Sequence, residues 1–437
     1  MFKICFLGAG STIFAKNVLG DCILNEGLGE FEISLFDIDE ERLNDSYLML
    51  EGINKQYHGK AIISKSLNRK EALKGSKYII NAIQIGGYAK IMEDFEIPLK
   101  YGLTQTIGDS LGVAGIFRGL RMIKLLEEIV SDIHEVCDDP LFINYANPMA
   151  ILTGYMEKYL NIRVVGLCHS VQYCVEGLLK TFKMEEYLGK TKWTIYGINH
   201  QAWLLDLKDE SNNDLYSIIK KKNLETNDKY DKNWDLVRLD MLKKFGYYLT
   251  ESSEHTSEYL PYYIKSKYPE LIEQYKIPLD ELPRRARKQI TEWHELKKKV
   301  VDNEKIEHLK TKEFASYIIK AIENDIPYKF HGNVLNTYGL IPNLPREACV
   351  EVLTLVDKNG LFPTVQKPLP EVCAALNRTN INVQILSIEG AYKKSKEEIY
   401  QATCLDPHTS SELSLDDIKS LVDEMFEANK EWLYEYK

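Results

Sequence analysis

Near the start of the sequence stands Lys3-Ile4-Cys5-Phe6-Leu7-Gly8-Ala9-Gly10-Ser11-Thr12, and its reading decides the fold. Lys3–Leu7 is apolar enough for a short buried strand, Gly8 to Ser11 for a tight turn, and residues 12–25 for a helix. Working outward, Phe31–Phe36 reads as a second strand closed by Asp37, with further strands expected at 78–83, 140–145 and Val164–Gly166. Apolar strands alternating with helical stretches predict an α/β fold whose N-terminal part is a Rossmann-type, doubly wound parallel sheet.

The turn has the chemistry of a phosphate loop. Gly8 and Gly10 let the backbone approach a pyrophosphate, while Ser11 and Thr12 open a helix with free N–H groups and a positive dipole end. Ile13 stands where the strict GxGxxG fingerprint has its third glycine. Asp37 compensates, since a carboxylate there accepts from ribose hydroxyls and repels a 2′-phosphate, favouring NAD over NADP. Asn81, with Gly86-Gly87 just beyond it, ends a later strand at the sheet edge where cofactor contacts cluster.

Across 437 residues, 44% are hydrophobic and 27% charged, in the range of globular proteins, and the length calls for more than one packed unit. A net charge of -10 argues against nucleic acid, which leaves a basic footprint. No run approaches the ~20 apolar residues of a membrane span. Eight scattered cysteines lack the spacing of a disulfide scaffold, so a reducing cytoplasm is expected.

After about Tyr173 the pattern changes to longer polar helices, with basic runs at 220–222 and 297–299 that read as solvated faces. Residues 326–345, with their prolines and asparagines, separate these from a last block ending in an amphipathic helix at 415–432. The expected division is a nucleotide-binding unit, residues 1–173, and a mixed α+β unit, residues 174–437, for substrate, metal and oligomer contacts.

Cys168-His169-Ser170-Val171 follows the strand ending at Gly166, so its side chains should emerge at the carboxyl edge beside the nicotinamide end of a dinucleotide. Thiolate and imidazole suit a divalent transition metal, and His200, in Gly197-Ile198-Asn199-His200, offers a second imidazole. Taken singly, Cys168 and His200 would more often be core residues than ligands. Asn147, before Pro148, could hold substrate hydroxyls through its amide. The segment 251–263 concentrates Glu254, His255, Glu258, Tyr259, Tyr262 and Tyr263, which are candidate bases and sugar-stacking rings.

In this order, the loop at Gly8, the blocks at 94–102 (DFEIPLKYG) and 105–121 (QTIGDSLGVAGIFRGLR), Asn147-Pro148-Met149-Ala150, 168–172 (CHSVQ) and 197–200 resemble glycoside hydrolase family 4, the NAD- and metal-dependent glycosidases. Cys-His-Ser-Val at 168–171, with 251–263, Pro283-Arg284-Arg285, 379–384 (TNINVQ) and 405–409 (LDPHT), is similar to its α-galactosidase group. The resemblance implies Cys168 and His200 as ligands, usually of Mn²⁺, Asn147 and Asp109 at the substrate, His169 as acid and Tyr259 as base. It further implies a homodimer or homotetramer. Within the family an α-glucosidase or α-galacturonidase stays open, because a few pocket side chains redirect one axial hydroxyl or one carboxylate. Outside it stand a 2-hydroxy acid dehydrogenase using His200, and a nucleotide sensor without catalysis.

Overall fold

Lys3–Leu7 forms strand β1, and its alternation explains the architecture. Ile4 and Phe6 enter one apolar core while Cys5 and Leu7 enter another, so both faces of the strand are covered, as in a parallel sheet wrapped by helices. The helix Thr12–Ile23 packs Ala15, Val18, Leu19 and Cys22 into the first core, and the long helix Gly112–Val136 packs Val113, Ile116, Phe117 and Leu120 into the second. The computed structural model describes residues 1–225, 229–301 and 306–437.

The remaining strands are β2 (Phe31–Phe36), β3 (Ala61–Ser66), β4 (Tyr78–Asn81), β5 (Leu141–Asn144), β6 (Val164–Gly166), β7 (Thr191–Ile198), β8 (Gln201–Asp209), β9 (Tyr248–Leu249), β10 (Tyr328–Leu335), β11 (Cys349–Asp357) and β12 (Gly360–Pro363). They make one sheet in the order β3-β2-β1-β4-β5-β6-β10-β11-β7-β8-β9, with β12 against β11. The first six are parallel in the 3-2-1-4-5-6 order of a dinucleotide-binding fold, and the sheet turns antiparallel where Asn333 of β10 meets Gly166 of β6.

The expected α/β class and mixed second half are present, with corrections. The region after Tyr173 carries the expected helices, among them Glu281–Val301 and Glu371–Lys393, and β7 to β12 run between them. Residues 326–345 are no mere separator, since β10 lies there between β6 and β11 with Phe330 to Leu335 buried. The C-terminal amphipathic helix stops at Ala428, where Asn429 turns its amide back onto the Met425 carbonyl, and a short helix, Lys430–Leu433, follows. β3 was not expected; its pattern of alternate exposure is that of an edge strand. No helix among the described residues is long and apolar enough to cross a membrane, and all eight cysteines are unpaired.

Candidate active site

The glycine loop sits between β1 and the helix Thr12–Ile23. Gly8 has φ +88°, and a Cβ there would lie 2.9 Å from the carbonyl carbon of Ala82, so this position requires glycine. At Gly10 a Cβ would press on Asp37 Oδ2 at 2.8 Å. That same oxygen accepts the Gly10 N–H at 2.6 Å, and Asp37 Oδ1 accepts from Asp39 N at 3.0 Å. The carboxylate proposed for ribose is therefore tied to the loop proposed for phosphate. Ser46 donates to the Ala9 carbonyl at 2.6 Å and to Thr12 Oγ1, fixing the loop from behind. Ser11 is exposed and Thr12 buried. Asn81 is fully buried and spends its amide on Asn144 Oδ1 at 3.0 Å, bracing the ends of β4 and β5.

Beyond the same carboxyl edge, side chains from five segments converge. Cys168 lies two residues after β6, and His200 occupies the hairpin between β7 and β8. His200 has φ 63°, a left-handed conformation that costs an ordinary L residue about 1–2 kcal/mol. Glu251 follows β9, and the helix Ser253–Tyr259 carries His255 and Tyr259. Asp109 comes from the loop ahead of the helix Gly112–Val136, where the Glu258 carboxylate takes the backbone N–H groups of Thr106, Ile107 and Gly108. Asn147, in a cis peptide with Pro148, follows β5.

The contacts run as a chain. Asn147 Nδ2 donates to Asp109 Oδ2 at 2.9 Å, and Arg118 Nε donates to the Asn147 carbonyl at 3.2 Å. Asp109 Oδ1 is 3.6 Å from His255 Nε2, whose ring meets that of His200 with centroids 4.3 Å apart. The Tyr259 hydroxyl is 3.5 Å from His200 Nδ1. Donor atoms of Cys168, His200 and Glu251 all lie within 4.8 Å of one another, as do those of Asp109, His200 and His255. Thiol, imidazole and carboxylate together form the mixed donor set that a divalent transition metal takes.

Electrostatics follow from burial among these charges. Burial opposes the His255 imidazolium, but Asp109 and Glu251 on either side outweigh it and push its pKa up to about 9. His200 goes the other way, lowered to about 4 by burial and by the charge of His255, so it offers the lone pair a metal needs. Burial would raise the Glu251 carboxyl, yet His255, His200 and the Ser252 N–H hold it down at about 2. Asp109 is likewise held low by His255 and Arg118 against burial. Burial, with Glu251 and Glu351 nearby, keeps the Cys168 thiol protonated, and a bound dication is what converts such a thiol into a thiolate. The residues present fit a metal ion.

His169 begins the helix Ser170–Thr181 and faces a different neighbour. Its Nε2 lies 2.7 Å from Glu313 Oε1, and the Tyr145 ring stacks on it with centroids 6.1 Å apart. Sequence reasoning missed Glu313, Glu251, Glu351 and Arg118 as site residues. Glu351 of β11 is fully buried, takes one bond from Asn333 and is pushed up to about 8 by burial and by Glu251. Glu251 carried a local signal, since it lies four residues before His255; Glu313 and Glu351 carried none. Glu254 and Tyr262 point elsewhere, the first toward Arg285 at 3.7 Å and the second onto Phe245.

The model for family 4 glycosyl hydrolases matches residues 3–184, and that for the C-terminal domain of the same family matches residues 195–409. The chain belongs to that family. Among its relatives, the α-galactosidase of Bacillus subtilis is 52% identical, covering all of both chains, and the α-galactosidase of Rhizobium meliloti is 32% identical over all of this chain and 90% of its own. A 6-phospho-α-glucosidase from gut microorganisms, solved with NAD and Mn²⁺, superposes with TM-score 0.79 at 20% identity over the whole of both chains.

Proposed function

We propose that the chain hydrolyses α-galactosides by a transient oxidation of the sugar that uses NAD and a manganese ion. The observation that carries the sugar assignment is the 52% identity, end to end, with an enzyme named for that activity. The chemistry is supported by a glycine loop and a thiol–imidazole–carboxylate cluster on one sheet edge, and by the NAD and Mn²⁺ found with a relative of the same fold.

When bound, NAD supplies a hydride acceptor and donor for C3 of the galactose, and Mn²⁺ supplies the Lewis acidity that makes the C2 proton removable. Gly8, Gly10, Ser11, Thr12 and Asp37 hold the nucleotide, whereas Asn81, expected to join them, is fully buried with its amide on Asn144 Oδ1 and braces the ends of β4 and β5 instead. Cys168 and His200 hold the ion. Asn147, its amide aimed by Asp109 and its carbonyl by Arg118, orients sugar hydroxyls. Burial and the Asp109 charge push the Tyr259 phenol well up, so Tyr259 would take the C2 proton only after losing its own, as a phenolate that a cation beside His200 would stabilise. His169, held at Nε2 by Glu313, protonates the departing aglycone oxygen through Nδ1. In this reading residues 1–173 serve the nucleotide and also lend Asp109, Asn147, Cys168 and His169 to the sugar and the ion, residues 174–437 complete that site, and the chain assembles into a homodimer or homotetramer in the cytoplasm.

The test is an assay with p-nitrophenyl α-galactoside and α-glucoside, omitting NAD, Mn²⁺ and reductant in turn. Galactoside hydrolysis that needs all three is expected. Hydrolysis indifferent to NAD after cofactor stripping would overturn the mechanism, and preference for the glucoside would overturn the sugar.

A further inference from the structure

Cys168 and His200 supply two donors to the ion, and Glu251 stands beside both. Its two oxygens have different surroundings. Oε1 accepts the Ser252 N–H at 2.8 Å and faces His255 Nδ1 at 3.8 Å. Oε2 lies 3.7 Å from His200 Nε2 and 3.8 Å from Cys168 Sγ, the first of these too long for a hydrogen bond. Metal–ligand bonds of about 2.0–2.3 Å at angles of about 90–120° leave neighbouring donor atoms about 2.8–4.0 Å apart. One oxygen is thus anchored to the scaffold, and the other stands at ligand spacing from both partners.

We infer that Glu251 is a third protein ligand of the divalent ion, giving a Cys168–His200–Glu251 set whose open positions are left to sugar hydroxyls. This rests on the assignment of Cys168 and His200 above. Charge supports it. A galactoside brings only neutral hydroxyls to the ion, so the compensating anions must come from the chain, and a thiolate with one carboxylate balances a dication. The anchoring of Oε1 by Ser252 and His255 is the outer-sphere support that ligating carboxylates require.

The test is metal binding rather than turnover. Full-length protein with NAD retained is stripped of metal and titrated with Mn²⁺, read by the resonance signal of the free ion, and with Co²⁺, read by absorption. Glu251→Gln should weaken Mn²⁺ binding about tenfold or more. It should also change the ligand-field bands of cobalt while leaving the thiolate-to-cobalt charge-transfer band of Cys168. Affinity and bands that match the parent would overturn the inference and leave the Cys168–His200 reading standing. A parent protein without the charge-transfer band would overturn that reading and this inference with it. Should Glu251→Gln not fold, Glu251→Asp keeps the charge and the attraction to His255 but withdraws the oxygens by one methylene. Weakened Mn²⁺ binding then supports ligation, and unchanged binding assigns Glu251 to the ion pair alone.

Discussion

His169 Nε2 and Glu313 Oε1 are 2.7 Å apart, a pairing between the first residue after the Cys168 position and a carboxylate that precedes the helix Phe314–Asn324. Burial disfavours the His169 imidazolium, but the hydrogen bond and charge of Glu313 outweigh it and raise the pKa. An acid so held should matter in proportion to how badly the leaving group needs a proton. Glu313→Gln is therefore expected to lower kcat on alkyl galactosides about tenfold or more while changing p-nitrophenyl galactoside hydrolysis little. A comparison of the two substrates, with Mn²⁺ affinity as the control, reads this; equal losses on both would count against the role.

Burial keeps the Cys168 thiol protonated, so loading an ion must release a proton and chelation reverses the exchange. Chelation, or oxidation of Cys168, should abolish activity, and Mn²⁺ with a thiol reductant should restore it. Full activity in excess chelator would remove the metal from the mechanism.

Asp37 joins the loop to the ribose position through one oxygen on Gly10 N–H. Asp37→Asn keeps much of the shape and removes the charge. It should weaken NAD binding by about 1–2 kcal/mol and narrow the preference over NADP, measured by nicotinamide fluorescence titration.

Gly8→Ala must place a Cβ at φ +88° and 2.9 Å from the Ala82 backbone. A destabilisation of about 1–3 kcal/mol is expected, visible as a lower Tm together with weakened NAD binding.

Because the hydride returns to the sugar in each cycle, steady turnover should accumulate no NADH. Substrate deuterated at C2 should turn over more slowly or exchange label with solvent. A two-carboxylate hydrolase would do neither.

The nucleotide loop was legible because its parts are local: Gly8, Gly10 and the strand-end Asp37 announce themselves within two strands and one helix. Cys168 and His200 were noticed because each donor side chain follows a strand, and the family resemblance implied their roles. β10 was not, because His331, Gly332 and Asn333 interrupt the apolar pattern of a strand that is nevertheless walled in by β6 and β11. Glu313 and Glu351 were invisible for a different reason. Each is an ordinary carboxylate in its own segment, and only the tertiary fold carries one to His169 and the other to within electrostatic reach of Cys168 and Glu251.

The centre draws on Asp109, Asn147, Cys168, His200, Glu251 and Tyr259, each delivered by a different turn of the chain except the last two. They span residues 109–259, so a chain that already holds all six still lacks β10 and β11, the strands beyond β6 in the sheet. An ion bound there would tie together segments that are distant along the chain, so occupancy would stabilise the folded protein over the unfolded one and make its Tm depend on metal concentration.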